Sequence, residues 1–321
     1  MSNTPLIETR NLQKYFKVGG GMLHAVDGVN ITVEKGTTLG VVGESGCGKS
    51  TLGRCLIRLI EPTGGEVLYN GKNILGYNKH EMRDIRKKMQ IIFQDPYSSI
   101  NPRMTVSDII AENMIVNKMY SSKEEIWKHT IRLMDTVGLA RRLAYAYPHE
   151  LDGGRRQRIG IARALSVNPE FIICDEPVSA LDVSIQAQIL NLLMDLQDEF
   201  GLTYVFITHN MSVVKHISDK IAVMYLGQCI EKAESDELFK NPKHPYTKAL
   251  LSAIPEPNLE MRNKEIQIIR GELSSPINPA PGCRFFSRCD YACEACKQPQ
   301  ILQSVGSEHA CACALALQGL V

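Results

Sequence analysis

The run Gly43-Glu44-Ser45-Gly46-Cys47-Gly48-Lys49-Ser50-Thr51 has the spacing GxxxxGK[ST]. Glycines at those positions let the backbone wrap closely around phosphate, with amide N–H groups and a helix N-terminus facing the negative charge. Lys49 then reaches the outer phosphates of a nucleoside triphosphate, and the Ser50 hydroxyl binds Mg²⁺. A second set of residues suits the same chemistry. Phe171-Ile-Ile-Cys174-Asp175-Glu176 is an apolar run ending in two acids, which are costly beside a buried strand unless they face a cation or water. Asp175 is expected to hold Mg²⁺ and Glu176 to polarise the attacking water. His209 follows another apolar run, Tyr204 to Thr208, and is expected to donate a hydrogen bond to the γ-phosphate.

These residues need rigid elements behind them. Thr38 to Val42 reads as a buried strand and Ser50 to Ile60 as the helix after it. Phe171 to Cys174 and Tyr204 to Ile207 read as two more buried strands. Between them, Ile185, Ile189, Leu192, Leu193 and Leu196 fall on one face of a helix over 185–200. Alternating strands and helices predict an α/β fold with a mostly parallel sheet. Residues from about 96 to 165 read as a helical insert, with Ile126, Thr130, Leu133, Met134 and Val137 sharing one face. From Asn241 onward prolines cluster, at 242, 245, 255, 257, 276, 279 and 281, and predict a linker leading into a small C-terminal module.

Composition excludes several classes. In 321 residues the formal net charge is +1, so no global field attracts nucleic acid. No stretch approaches the roughly 18 apolar residues that span a bilayer, and Met1 to Arg10 lacks the apolar core of a signal peptide. The expectation is a cytoplasmic chain whose role in transport would need separate membrane subunits. Six of the ten cysteines crowd together, as Cys283-x5-Cys289-x3-Cys293-x2-Cys296-x14-Cys311-x-Cys313. In a reducing compartment such crowding points to a metal site more than to disulfides. Four thiolates can hold zinc or an iron–sulfur cluster, and spacing alone does not separate the two.

The run Leu151-Asp152-Gly153-Gly154-Arg155-Arg156-Gln157-Arg158, continuing to Leu165, resembles the signature of the ABC ATPases. That resemblance covers residues 5 to about 240 and implies a P-loop NTPase core with a helical insert. It gives roles to further residues. Gln94, in Ile91-Ile-Phe-Gln94-Asp95, matches the Q-loop and serves catalysis and Mg²⁺. Ser179 to Asp182 match the D-loop, and His209 matches the switch histidine. Phe16 matches the aromatic position on which adenine stacks, with Tyr15 its nearest competitor. Asp152, Gly153 and Gly154 would meet the nucleotide of a partner ATPase. Asn241 to Leu251 and Pro281 to Cys289 resemble the tail of the ATPase subunits of oligopeptide and dipeptide importers. The resemblance therefore divides the chain into an ATPase domain (1–240) and an importer-type C-terminal domain (241–321).

What this implies is an ATP- and Mg²⁺-dependent ATPase subunit on the cytoplasmic face of the membrane. Its partners would be a second ATPase subunit, two membrane permeases and an extracytoplasmic solute-binding protein, with no nucleic acid. Two ATPases meeting head to tail would sandwich two ATP molecules, and closure would move the permeases. Similar importers take nickel or sugars, and the alternative class is an ABC ATPase acting on nucleic acid or ribosomes. One departure stands out: the family has serine where this chain has Asp152 and glutamine where it has Arg155. A carboxylate facing a γ-phosphate repels it unless protonated or turned away, which implies a heterodimer with unequal sites. Some dipeptide-importer ATPases carry a four-iron, four-sulfur cluster in the tail. Their pattern selects Cys283, Cys289, Cys296 and Cys313, leaving Cys293 and Cys311 extra. The expected role is structural, with little direct effect on nucleotide binding.

Overall fold

The computed structural model describes residues 4–254, 271 and 275–320. Pro255 and Pro257 of the expected linker lie outside the described residues. The chain forms two compact units, one from residues 1–33, 38–75 and 208–321, the other from 34–37 and 76–207.

In chain order the first unit begins with strands β1 (Ile7–Val18), β2 (Gly21–Val29), β3 (Thr32–Val33) and β4 (Thr38–Val42), helix α1 (Lys49–Leu56), and strands β5 (Gly64–Tyr69) and β6 (Lys72–Asn73). The second unit holds α2 (Lys79–Lys88), β7 (Met89–Ile92), α3 (Pro96–Ser99), α4 (Val106–Val116), α5 (Lys123–Thr136), α6 (Gly153–Leu165), β8 (Phe171–Asp175), α7 (Val183–Phe200) and β9 (Thr203–Thr208). The chain then returns to the first unit with α8 (Met211–Ile217), β10 (Lys220–Tyr225), β11 (Gln228–Glu234), α9 (Ser235–Lys240), α10 (Pro245–Ser252), β12 (Gln303–Gly306) and β13 (His309–Cys311).

Among the described residues the strands of the first unit fall in two sheets. An antiparallel one runs β2-β1-β5-β6, with β3 also paired to β1. In the other, β4 runs parallel to β10, with Lys220 opposite Leu39 and Val223 opposite Val42. Antiparallel β11, β13 and β12 extend it outward. The C-terminal segment is therefore built into a sheet of this unit, with Glu231 opposite Cys311. All five residues of β4 are buried, as a parallel strand covered on both faces requires.

Behind the tail lies one buried polar knot. The Glu231 carboxylate is fully buried and accepts from the backbone N–H of Lys243 (2.6 Å) and His244 (3.0 Å) and from His309 Nε2 (2.8 Å). Burial opposes its charge, but these donors hold its pKa below the usual glutamate range. His309 responds in the opposite direction. Burial disfavours its charged form, yet the Glu231 and Glu237 carboxylates raise its pKa.

In the second unit β7, β8 and β9 are parallel neighbours, with Met89 opposite Phe171 and Phe171 opposite Thr203. Helices α3 to α6 follow one another with no strand between them. On α5, Thr130 and Met134 are buried, with Val137 just beyond. On α7 the buried set is Ile189, Leu190, Leu193 and Leu196, while Ile185 and Leu192 are half-buried. The stripe is thus turned slightly from the predicted one. The α1 helix stops at Leu56 rather than Ile60, because Arg58 takes a left-handed φ of 53° and Leu59 N–H turns back to Arg54 O.

Candidate functional site

The phosphate loop belongs to the first unit, between β4 and α1. Two of its glycines are dictated by space as well as conformation. Gly48 has φ 102°, and a Cβ there would lie 1.9 Å from Ala25 O. Gly43 has φ 153°, and a Cβ there would lie 2.2 Å from Met224 O. No side chain caps α1 at Gly48, so its first N–H groups face outward from a helix N-terminus that favours anions. The Lys49 side chain is buried, and its ammonium is held inward by Gly43 O (2.8 Å) and Glu44 O (2.9 Å). Cys47 Sγ sits 3.9 Å from it. Burial nevertheless pushes the Cys47 thiol pKa up, so it is no activated nucleophile.

Of the two aromatic candidates on β1, Tyr15 is already engaged. Its ring stacks on His24 at 4.0 Å and its hydroxyl donates to Asp27. Burial and that hydrogen bond push its pKa up to about 12. Phe16 is half-buried, with the Lys14 ammonium 4.8 Å from its ring centre. His209 is exposed just past the end of β9.

The acidic pair belongs to the second unit. Asp175 ends β8 and is buried, and Glu176 follows with a left-handed φ of 48°. That conformation costs a non-glycine residue about 1–3 kcal/mol and tends to occur where function fixes the backbone. It is pinned by Glu176 N–H to Ile207 O (2.9 Å) and by the Ser179 hydroxyl to Glu176 O (3.1 Å). Gln94 meets this acid directly: its Nε2 donates to Glu176 Oε2 at 2.9 Å, across 82 positions of sequence. Two of the three expected catalytic residues are thus in contact.

The signature lies at the N-terminus of α6. Asp152 is the N-cap, its carboxylate accepting from Arg155 N–H at 2.8 Å and lying 3.3 Å from the Arg155 guanidinium. The two departures from the family pattern therefore answer one another, aspartate capping the helix as serine would and arginine offsetting its charge. A cleft of about 330 Å³ beside them is lined by Asp152, Gly154 and three arginines, Arg142, Arg155 and Arg158. A Cβ on Gly154 would come within 2.8 Å of Ile185 Cγ2, and one on Gly153 within 3.0 Å of Leu181 Cδ2, so the signature glycines pack against the D-loop and the start of α7.

In the tail, Cys283, Cys289, Cys296 and Cys313 are mutual neighbours. Burial, then the nearby thiols, push Cys283 up to about 12 and also raise Cys289 and Cys296. Cys293 Sγ lies 3.6 Å from Cys296 Sγ, and Cys311 is fully buried against Cys313 and Ala316 with Cys283 nearby, so both extra cysteines border the four. Among the described residues no group of three or more such side chains is already disposed around a common metal position. The tail touches the phosphate loop. Arg288 Nη1 lies 3.0 Å from the Glu44 carboxylate, and Glu44 N–H donates to the Tyr246 hydroxyl at 2.9 Å. Arg284, one turn earlier, donates to Asp27 and to Leu226 O. Sequence reading passed over both arginines because their carboxylate partners lie 257 and 244 positions away. The only local signal was their placement beside Cys283 and Cys289.

Comparison with known proteins accords with this arrangement. Residues 26–179 match the ABC transporter family and residues 230–296 match the oligopeptide/dipeptide transporter C-terminal region. The chain is 51% identical to the dipeptide transport ATP-binding protein DppF of Haemophilus influenzae, over 93% of this chain and 92% of that one. It is 50% identical to the oligopeptide transport ATP-binding protein OppF of Salmonella typhimurium, over 96% and 95%. Among solved structures, the dimeric ATP-binding cassette MJ0796 in a post-hydrolysis state with ADP and Pi is similar at a TM-score of 0.66 and 30% identity, covering 71% of this chain and 98% of that one. The fold is that of a P-loop ATPase. The chain belongs to the ABC transporter ATP-binding proteins, in the branch that carries the oligopeptide/dipeptide C-terminal region.

Proposed function

We propose that this chain binds and hydrolyses Mg²⁺–ATP to power import of di- or oligopeptides through a membrane transporter. The observation that carries the reading is the joining, in one chain, of an ABC ATPase region and an oligopeptide/dipeptide C-terminal region, matched along nearly its whole length by peptide-transport relatives. Lys49, Ser50 and Thr51, with the loop backbone from Gly43 to Gly48, bind the phosphates. Ser50, Asp175 and Gln94 serve Mg²⁺, Glu176 orients the water, His209 contacts the γ-phosphate and Phe16 stacks on adenine. The engagement of Tyr15 with His24 and Asp27 supports Phe16 over Tyr15 for that last role. No helix among the described residues is long and apolar enough to cross a membrane. In this reading the chain works on the cytoplasmic face, docked to two permeases that receive solute from an extracytoplasmic binding protein. In the assembled transporter, peptide-loaded binding protein should stimulate ATP turnover. Stimulation by nickel- or sugar-loaded binding protein instead would reject the peptide reading.

The second ATPase is a different chain in this reading, and the sites are unequal. In a head-to-tail dimer Asp152 would face the partner's nucleotide. Its pairing with Arg155 lowers the repulsion without removing an exposed carboxylate. Asp152→Ser is expected to raise turnover at the partner's site about two- to fivefold, from relief of a screened charge worth under ~1 kcal/mol. Unchanged turnover in the full transporter would show that the Arg155 pairing already neutralises the acid.

In this reading the tail also carries a metal centre. What supports it is that Cys283, Cys289, Cys296 and Cys313 neighbour one another, and thiolates are the donors of a four-iron, four-sulfur cluster or of zinc. Cys283, Cys289, Cys296 and Cys313 would hold it, and what it would supply is cross-linking of the tail. Anaerobically purified protein is expected to contain about four irons per chain, and Cys289→Ser to lose them. Stoichiometric zinc in colourless protein would reject the cluster and keep the cross-link.

A further inference from the structure

We propose that Arg288 and Tyr246, both from the C-terminal part of the chain, are positioning residues for nucleotide binding, acting through Glu44 of the phosphate loop; this rests on the ATP-binding role proposed for that loop.

Glu44 is the second residue of the loop and the only carboxylate in it. A loop that must attract a polyanion carries here a fixed negative charge, and left alone that charge would oppose phosphate. The tail supplies the answer. The Arg288 guanidinium lies 3.0 Å from Glu44 Oε2, with contacts of 3.4 Å to Oε1, and its side chain is only 8% exposed against 24% for Glu44. A pair this shielded is screened little by salt. The same guanidinium donates to the Tyr225 hydroxyl at 3.2 Å, which fixes its direction.

Tyr246 takes the other end of the same residue, accepting the Glu44 backbone N–H at 2.9 Å. Its ring is buried, and with Tyr225 and Phe285 it forms an edge-to-face cluster with centre separations of 4.7, 5.3 and 5.5 Å. Both groups that hold Glu44 thus stand on one packed aromatic platform. Glu44 O in turn accepts from Lys49 Nζ at 2.9 Å. Side chain, amide and carbonyl of Glu44 are all engaged, and the chain of contacts runs from the tail to the phosphate-binding lysine. A structural brace alone would need neither the charge match nor the direct link to Lys49.

The test is Mg²⁺–ATP binding to the full-length chain by calorimetry. Arg288→Gln is expected to weaken binding about tenfold by exposing the loop to an uncompensated carboxylate. Adding Glu44→Gln to that variant should recover most of the loss, and Arg288→Lys should stay within about threefold of the unmodified chain. Tyr246→Phe keeps the ring and removes only the acceptor, and is expected to weaken binding about threefold. Lys49→Ala is the control for the loop itself. If Lys49→Ala abolishes binding while Arg288→Gln and Tyr246→Phe bind normally, the positioning role is overturned and the nucleotide site stands. It is overturned as well if Arg288→Gln loses affinity that Glu44→Gln does not recover. Should Arg288→Gln fail to fold, normal binding by Tyr246→Phe decides against the proposal. Normal binding by Lys49→Ala would reject the loop's role and the proposal together.

Discussion

Glu176→Gln should cut steady-state ATP turnover of the assembled transporter by at least about a hundredfold while leaving Mg²⁺–ATP binding intact. The substitution keeps the shape of the side chain and removes only the charge proposed to orient and polarise water. The left-handed backbone at Glu176 is pinned to Ile207 O, and Gln94 Nε2 donates to the side-chain carboxylate. Gln94 Nε2 would retain an acceptor in the amide oxygen of the new residue, so the contact at 2.9 Å need not be lost. The expected state is an ATP-filled dimer that does not reopen, detectable as a stable complex on size exclusion in the presence of Mg²⁺–ATP. Turnover at the unmodified rate would remove Glu176 from the chemistry. In a heterodimer with unequal sites, the matching change in the partner should cost less.

Lys49→Ala is expected to act one step earlier. The ammonium is buried and held by two loop carbonyls, so in the resting protein it already stands at the loop that must receive phosphate. Replacing it removes the single cation of that loop, takes the ammonium donor from Gly43 O and Glu44 O, and should weaken Mg²⁺–ATP binding by about two orders of magnitude. Because binding is lost before chemistry, the variant should also fail to form the trapped dimer when combined with Glu176→Gln. Retained trapping in that double variant would mean that Lys49 is dispensable for nucleotide capture.

How far the sequence could be read depended on distance along the chain. The phosphate loop was legible because its logic is local: glycines at 43 and 48 stand where a side chain would strike backbone 1.9–2.2 Å away, and a lysine follows at fixed spacing. The fully buried strands Thr38–Val42 and Phe171–Asp175 announced themselves as unbroken apolar runs. Gln94 could be assigned only through resemblance to a family, since nothing in its own neighbourhood points to Glu176. Asp152 could be flagged as a departure, yet its pairing with Arg155 emerges only when the helix geometry brings a cap and a guanidinium together. Arg288 and Tyr246 were beyond reach. Their partner Glu44 is 244 and 202 positions away, and an arginine among cysteines reads as solvated until the fold buries it. On α7 the predicted stripe missed Leu190, because a helix packed over a broad face buries more than one narrow row of side chains.

The central claim is that ATP hydrolysis by this chain drives peptide across a membrane. The most direct measurement is accumulation of a labelled dipeptide in vesicles that contain the assembled transporter and its binding protein, with Mg²⁺–ATP supplied on the face where this chain is bound. We expect accumulation that requires ATP, stops with Glu176→Gln in this chain, and is competed by unlabelled peptides. Accumulation that proceeds without ATP, or that continues unchanged with Glu176→Gln, would contradict the account.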